Sequence, residues 1–95
     1  MRVTGLPASH RAGQIATFTV TLYDRFGNVA TGYRDAVHFT STDPSATLPG
    51  DYTFTAQDGG THAFLVIFRK KGGQQLIVAD PAIRGLRRTR AVRVV

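Results

Sequence analysis

"IATFTVTLY", residues 15–23, alternates from Ala16 to Leu22 between apolar residues and threonines. Successive side chains of an extended chain point to opposite faces. Ala16, Phe18, Val20 and Leu22 therefore share one face, and Thr17, Thr19 and Thr21 the other. β-branched threonine suits the solvated side of a sheet. The stretch reads as a strand with one face turned to a core.

The next segment decides what that strand belongs to. "YDRFGNVATGY", residues 23–33, precedes a second alternating run, "AVHFTS", with Val37 and Phe39 inward and His38 and Thr40 outward. Gly27-Asn28 tolerates positive φ, and the Asp24 carboxylate can accept bonds from the amides after it. Phe26 is expected to tuck beneath this turn as an apolar plug, with Val29 beside it. A calcium loop would bring several carboxylate or carbonyl oxygens to roughly 2.3–2.6 Å from the ion. One aspartate and no glutamate do not supply that, so the segment reads as a strand-to-strand connection.

The same grammar continues along the chain. "DYTFT" places Tyr52 and Phe54 on one face, "THAFLVIFRK" Phe64, Val66 and Phe68, "QQLIVAD" Leu76 and Val78, and "RTRAVRVV" Val92 and Val94. A first strand is expected in "RVTGLPAS", broken or placed at an edge by Pro7, which has no amide proton for a ladder. Turn signals separate the runs, among them Asp43-Pro44, Pro49-Gly50, Asp58-Gly59-Gly60 and Asp80-Pro81. "KKGGQQ" reads as a tight hairpin joining strands at 61–69 and 74–79 within one sheet. Strand after strand with no helical stripe predicts an all-β antiparallel sandwich of about seven strands. Its expected core is Phe18, Val20, Leu22, Val37, Phe39, Leu48, Tyr52, Phe54, Phe64, Val66, Phe68, Leu76, Val78 and Val92.

The totals agree with this. Ninety-five residues make one domain, 1–95, with a single core and no internal repeat. No cysteine is present, so there is no disulfide and no thiol or cysteine-based metal chemistry. No apolar run reaches the roughly 18 residues of a membrane span, so no insertion is expected. The first residues lack a signal-peptide pattern, although the chain is expected to be a fragment of a longer multi-domain protein. All six acids are aspartate, which favours turns through bonds to the local backbone.

From Ala12-Gly13 onward the sequence resembles the immunoglobulin-like repeats of large bacterial surface or secreted proteins, which are similar to filamin-type and invasin-type folds. The matching positions run through Phe18-Thr19-Val20-Thr21, Asp24, Phe26-Gly27-Asn28-Val29-Ala30, Gly32-Tyr33 and Val37-His38-Phe39-Thr40-Ser41. They continue with Asp43-Pro44, Leu48-Pro49, Asp51-Tyr52-Thr53-Phe54-Thr55, Gly60, His62 and Phe64, covering roughly residues 12–80. The resemblance implies an immunoglobulin-like fold at the cell surface or outside the cell. It also implies a spacing, presenting or adhesive role beside neighbouring domains of the same chain. It carries over no catalytic residue.

Two departures from those repeats mark candidate surfaces. The late strand carries Ala63, Leu65 and Ile67 on its outer face, where those repeats usually have polar residues. With 61–69 and 74–79 paired as a hairpin, Ile77 would join Leu65 and Ile67 in one outward patch. It is either a contact for a neighbouring domain or covered by "DPAIRGL" through Ile83 and Leu86. The basic tail carries Arg84, Arg87 and Arg88, expected mainly in the loop, and Arg90 and Arg93 of the last strand, with Arg69, Lys70 and Lys71 as a second cluster, on a chain of net charge +6. Such a field either keeps a sheet edge solvated or attracts an anion such as an acidic polysaccharide. No aromatic side chains interleave with the arginines to stack bases, which weighs against nucleic acid. A partner strand added along a sheet edge is a further alternative.

Catalysis finds little support. Ser9 and His10 are adjacent, so on an extended chain they face apart. His38 and His62 are read as outward positions of strands. No three or four residues are grouped as zinc ligands. The expectation is a non-enzymatic chain with no metal and no cofactor.

Overall fold

A computed structural model describes residues 1–83 and 85–95. Its elements are β1 (Arg2–Thr4), β2 (Ser9–His10), β3 (Ile15–Thr21), β4 (Ala36–Ser41), β5 (Tyr52–Thr53), β6 (Thr61–Ile67), β7 (Gly72–Ala79) and β8 (Arg87–Val94). Among the described residues there is no helix. The strands form two sheets, one ordered β1-β3-β6 and the other β2-β8-β7-β4-β5.

Period-2 alternation sets which side chains face inward. On β3 the buried residues are Ala16, Phe18 and Val20; on β4 they are Val37 and Phe39; on β6, Phe64 and Val66. Leu76, Val78, Val92 and Val94 add the inner face of β7 and β8. The two sheets meet through rings. Phe18 and Phe64, paired across β3 and β6, stack with centroids 5.6 Å apart. Phe39 from the other sheet lies 4.8 Å from Phe64 and 5.8 Å from Phe18. Val3 joins this core, whereas Leu48 and Tyr52 are only half-buried against it.

Three expectations are corrected by the sheet partition. The first strand is two strands. β1 pairs with β3, the chain turns at Gly5 (φ +86°) and Pro7, and β2 then pairs parallel with β8 in the opposite sheet. The sandwich is thus antiparallel except at this one pair.

The second correction concerns "KKGGQQ". β6 pairs with β3, and β7 with β4 and β8, so the link between β6 and β7 crosses from sheet to sheet and is not a hairpin. Gly72 and Gly73 belong to β7. The crossing is held by Asp43, which lies just after β4. Its Oδ2 accepts the backbone N–H groups of Arg69 (2.7 Å) and Lys70 (2.9 Å), and Oδ1 accepts that of Ser45 (2.8 Å).

Third, His62 is on the core side of β6. It pairs across the ladder with buried Val20 and stacks on Tyr52 at 4.2 Å between ring centroids.

The Asp24 turn forms as the sequence predicts, except for its plug. Asp24 Oδ1 accepts the amides of Phe26 (2.8 Å) and Asn28 (3.0 Å), with Gly27 at φ +84°. Phe26 is 75% exposed, under the Arg25 guanidinium at 4.9 Å, and Val29 is also exposed. The loop closes on its own backbone, the Asp24 N–H bonded to the Asn28 carbonyl at 2.8 Å, and leaves the ring exposed.

Candidate interaction surfaces

The aspartates bind the chain to itself. Asp58, in the loop before β6, accepts from the Tyr52 hydroxyl (2.8 Å), the Thr55 amide (2.8 Å) and the Thr55 hydroxyl (3.1 Å), and pairs with His62 Nδ1 (2.8 Å). The Thr55 amide bond above all holds its carboxyl well below the usual carboxylate range, against the opposing effect of burial. The Tyr52 hydroxyl is pushed up by its bond to Asp58 first and by burial second.

Asp80 Oδ2 accepts from Tyr33 at 2.6 Å, and Oδ1 from the Ala82 amide at 2.8 Å. Burial, then the bond to Asp80, raises the Tyr33 pKa. For Asp43, burial pushes upward, but the amides of Lys70, Arg69 and Ser45 outweigh it and leave the pKa lowered. Of the two ion pairs among the described residues, His38–Asp51 is the one on the open surface.

The basic residues do not make a single field. Arg84 lies outside the described residues. Arg88 and Arg90 share the β8 face of Val92 and Val94, but at the end where β1 borders the gap between the sheets. Arg88 Nε donates to the Met1 carbonyl at 2.9 Å and Arg90 Nε to the Val3 carbonyl at 2.8 Å. These carbonyls lie on the free edge of β1. Two of the arginines therefore satisfy an unpaired strand edge, which removes acceptors that a foreign strand could use.

Arg87 and Arg93 face outward, at opposite ends of β8, beside Ala79 and Gly73 respectively. Six residues of strand at about 3.3 Å each separate them by about 20 Å. The inward placement of Arg90 follows from its parity with Val92. The use of the β1 edge could not be read, because nothing in the sequence places residues 1–3 beside residues 88–90.

The aliphatic patch is also divided. Leu65 and Ile67 lie on the outer face of the three-stranded sheet, and Ile77 on the outer face of the other, because β6 and β7 are not neighbours. Ile15, missed in the sequence, pairs directly with Ile67 and is 63% exposed, with Leu65 58% exposed. The loop after β7 does not cover them. Leu86 packs on the core and Ile83 is exposed, both in the connection from β7 to β8.

Among the described residues, no three histidine or aspartate side chains converge as metal ligands. Comparison with known protein families, with curated proteins and with solved structures finds no match.

Proposed function

We propose that this chain is an immunoglobulin-like module without enzymatic activity. Its role would be that of a spacer or interaction domain within a large bacterial surface or secreted protein. The observation that carries this reading is the position of its ends. β8 begins at Arg87 and Arg88, beside Met1, and runs to Val94, while Val95 is bonded to His10 and Ala12. Residues 1 and 95 thus lie near opposite ends of β8, about 23 Å apart along the strand, in a body of 38 × 22 × 21 Å. Units of that shape string head to tail into a rod. Two further features agree. The strands form two sheets, of three and five strands, whose inner faces share one core, as a sandwich requires. Four of the six aspartates, Asp24, Asp43, Asp58 and Asp80, are bonded to turn amides.

Two copies joined end to end test this by small-angle X-ray scattering. An extended pair, about twice as long as one domain of this size, is expected. A folded-back pair no longer than a single copy contradicts the spacer role.

A second reading, a scaffold taking a partner's strand, is favoured by the outer edge of β6. Ile67 exchanges bonds there with Thr47 (2.8 and 3.0 Å), and by parity the backbone groups of Ala63 and Leu65 face the same way beyond the bridge. Amide shifts confined to 63–65 on adding an extended peptide would support it.

A further inference from the structure

The sequence separates two basic clusters by some twenty residues, and the fold brings one member of the second, Arg93, beside the first. Gly73 of β7 stands directly across the ladder from Arg93 of β8, and Gln75 across from Ala91. Side chains at 73, 75, 91 and 93 all belong to the outer face of the five-stranded sheet, since Gln74, Leu76, Val92 and Val94 are the buried ones. Glycine and alanine at 73 and 91 leave a depression there. It is an open cleft of about 570 Å³, floored by Gly73 and Ala91 and rimmed by Lys70, Lys71, Thr42 and Gln75. That volume is in the range of small-ligand sites, about 300–1,000 Å³.

Its charge is one-sided. Lys70 and Lys71 line the cleft, Arg93 stands beside its floor across the ladder from Gly73, and Arg11 follows β2 where His10 and Ala12 bracket Val95. Among the described residues, no carboxylate pairs with any of these four; the ion pairs involve His38 and His62. Asp43, the acid that adjoins Thr42, is buried with both oxygens bonded to backbone amides. Asp43 offsets part of the Lys70 charge, but Lys71 and the neighbouring Arg93 have no carboxylate partner among the described residues. This excess of cations beside an uncovered floor raises the local concentration of anions.

Packing does not require the depression. A Cβ added at Gly73 would meet nothing within 4 Å, and Gly73 is not among the residues at positive φ. The glycine keeps the floor open and serves no visible structural need.

We propose that this cleft binds an anionic polysaccharide, its acidic groups held by Lys70, Lys71 and Arg93 and its hydroxyls by the Gln75 amide. The cleft is open rather than enclosed and continues in the positive strip formed by Arg93 and Arg11, which suits a polymer better than an isolated ion. No aromatic side chain lines it, so it lacks the stacking platform that single-stranded nucleic acid uses.

The test is calorimetric titration of the folded chain at fixed ionic strength with heparin, which is sulfated, and polygalacturonate, which is carboxylated. Lys70→Gln with Lys71→Gln should weaken binding about tenfold. Arg2→Gln with Arg25→Gln removes the same charge at the other end and should change it less than about twofold. Gly73→Leu fills the cleft without altering charge and should weaken binding comparably to the lysine pair. Binding to heparin alone assigns sulfate esters, and binding to both assigns acidic groups generally. The proposal is overturned by no binding to either polymer or by equal losses in the two charge pairs. It is also overturned by undiminished binding of Gly73→Leu, or by single-stranded DNA competing as well as heparin.

Discussion

Asp43 Oδ2 accepts the backbone N–H of Arg69 at 2.7 Å, tying the end of β4 to the chain just as it leaves one sheet for the other. With the Lys70 and Ser45 amides, three backbone donors converge on one buried carboxylate. Asp43→Ala leaves those donors without a partner and should cost about 2–4 kcal/mol, given about 1–3 for each unsatisfied buried group and partial rescue by water. Urea melts of the two proteins measure it. A change below about 0.5 kcal/mol, the scatter of ordinary surface substitutions, would show that the crossing is held by something else.

Acid should act through the same group. The Asp43 and Asp58 carboxyls are both lowered from an ordinary value of 3.8. A depressed folded-state pKa contributes stability that is complete above the unfolded value and is lost as pH falls through the folded one. Stability should therefore hold down to about pH 4 and decline below it. Asp43→Asn should flatten that decline in a series of melts against pH, and an unchanged acid limb would exclude Asp43 as a source.

Two glycines should respond in opposite ways. A Cβ at Gly60 (φ +86°) would lie 2.5 Å from the Ala30 carbonyl oxygen, against a rigid backbone. Gly60→Ala should cost more than about 2 kcal/mol, combining strain at positive φ with that clash. Gly73→Ala meets open space, and should be neutral or stabilising by up to about 1 kcal/mol. Thermal melts of both variants suffice, and similar losses at the two sites would mean the backbone is misplaced.

Arg90 should protect β1. Replacing it with Met keeps the aliphatic stem and removes the bond to the Val3 carbonyl. The expected loss is about 1 kcal/mol, since the group is partly exposed. Hydrogen exchange should quicken in β1 more than in β3, whereas Arg87→Met should leave both unchanged. Equal exchange rates in the Arg90 variant and the parent would remove the strap from the description.

The faces of β3, β4, β6, β7 and β8 were legible because period-2 alternation is local: Phe18, Phe39, Phe64, Leu76 and Val92 each announce their side. Partnership was not legible. The crossing after β6 is tied by Asp43, 26 positions before Arg69, and at sequence level that aspartate differs in no way from a turn residue before Pro44. The two basic clusters looked separate for the same reason, since only the β7–β8 register sets Arg93 against Gly73. Phe26 misled because an aromatic in a turn suggests burial, while here the loop is held by Asp24 and its backbone and the ring lies exposed beside Arg25.

The placement of the chain ends, the division of the aliphatic patch and the joined basic cleft all depend on which strands are neighbours. Cross-strand nuclear Overhauser contacts in the isotope-labelled protein measure that directly. Arg93 should show contacts to both Gly73 and Ser9, and Ile15 to Ile67. A continuous ladder of contacts between 61–67 and 72–79 would contradict the two-sheet partition and everything placed by it.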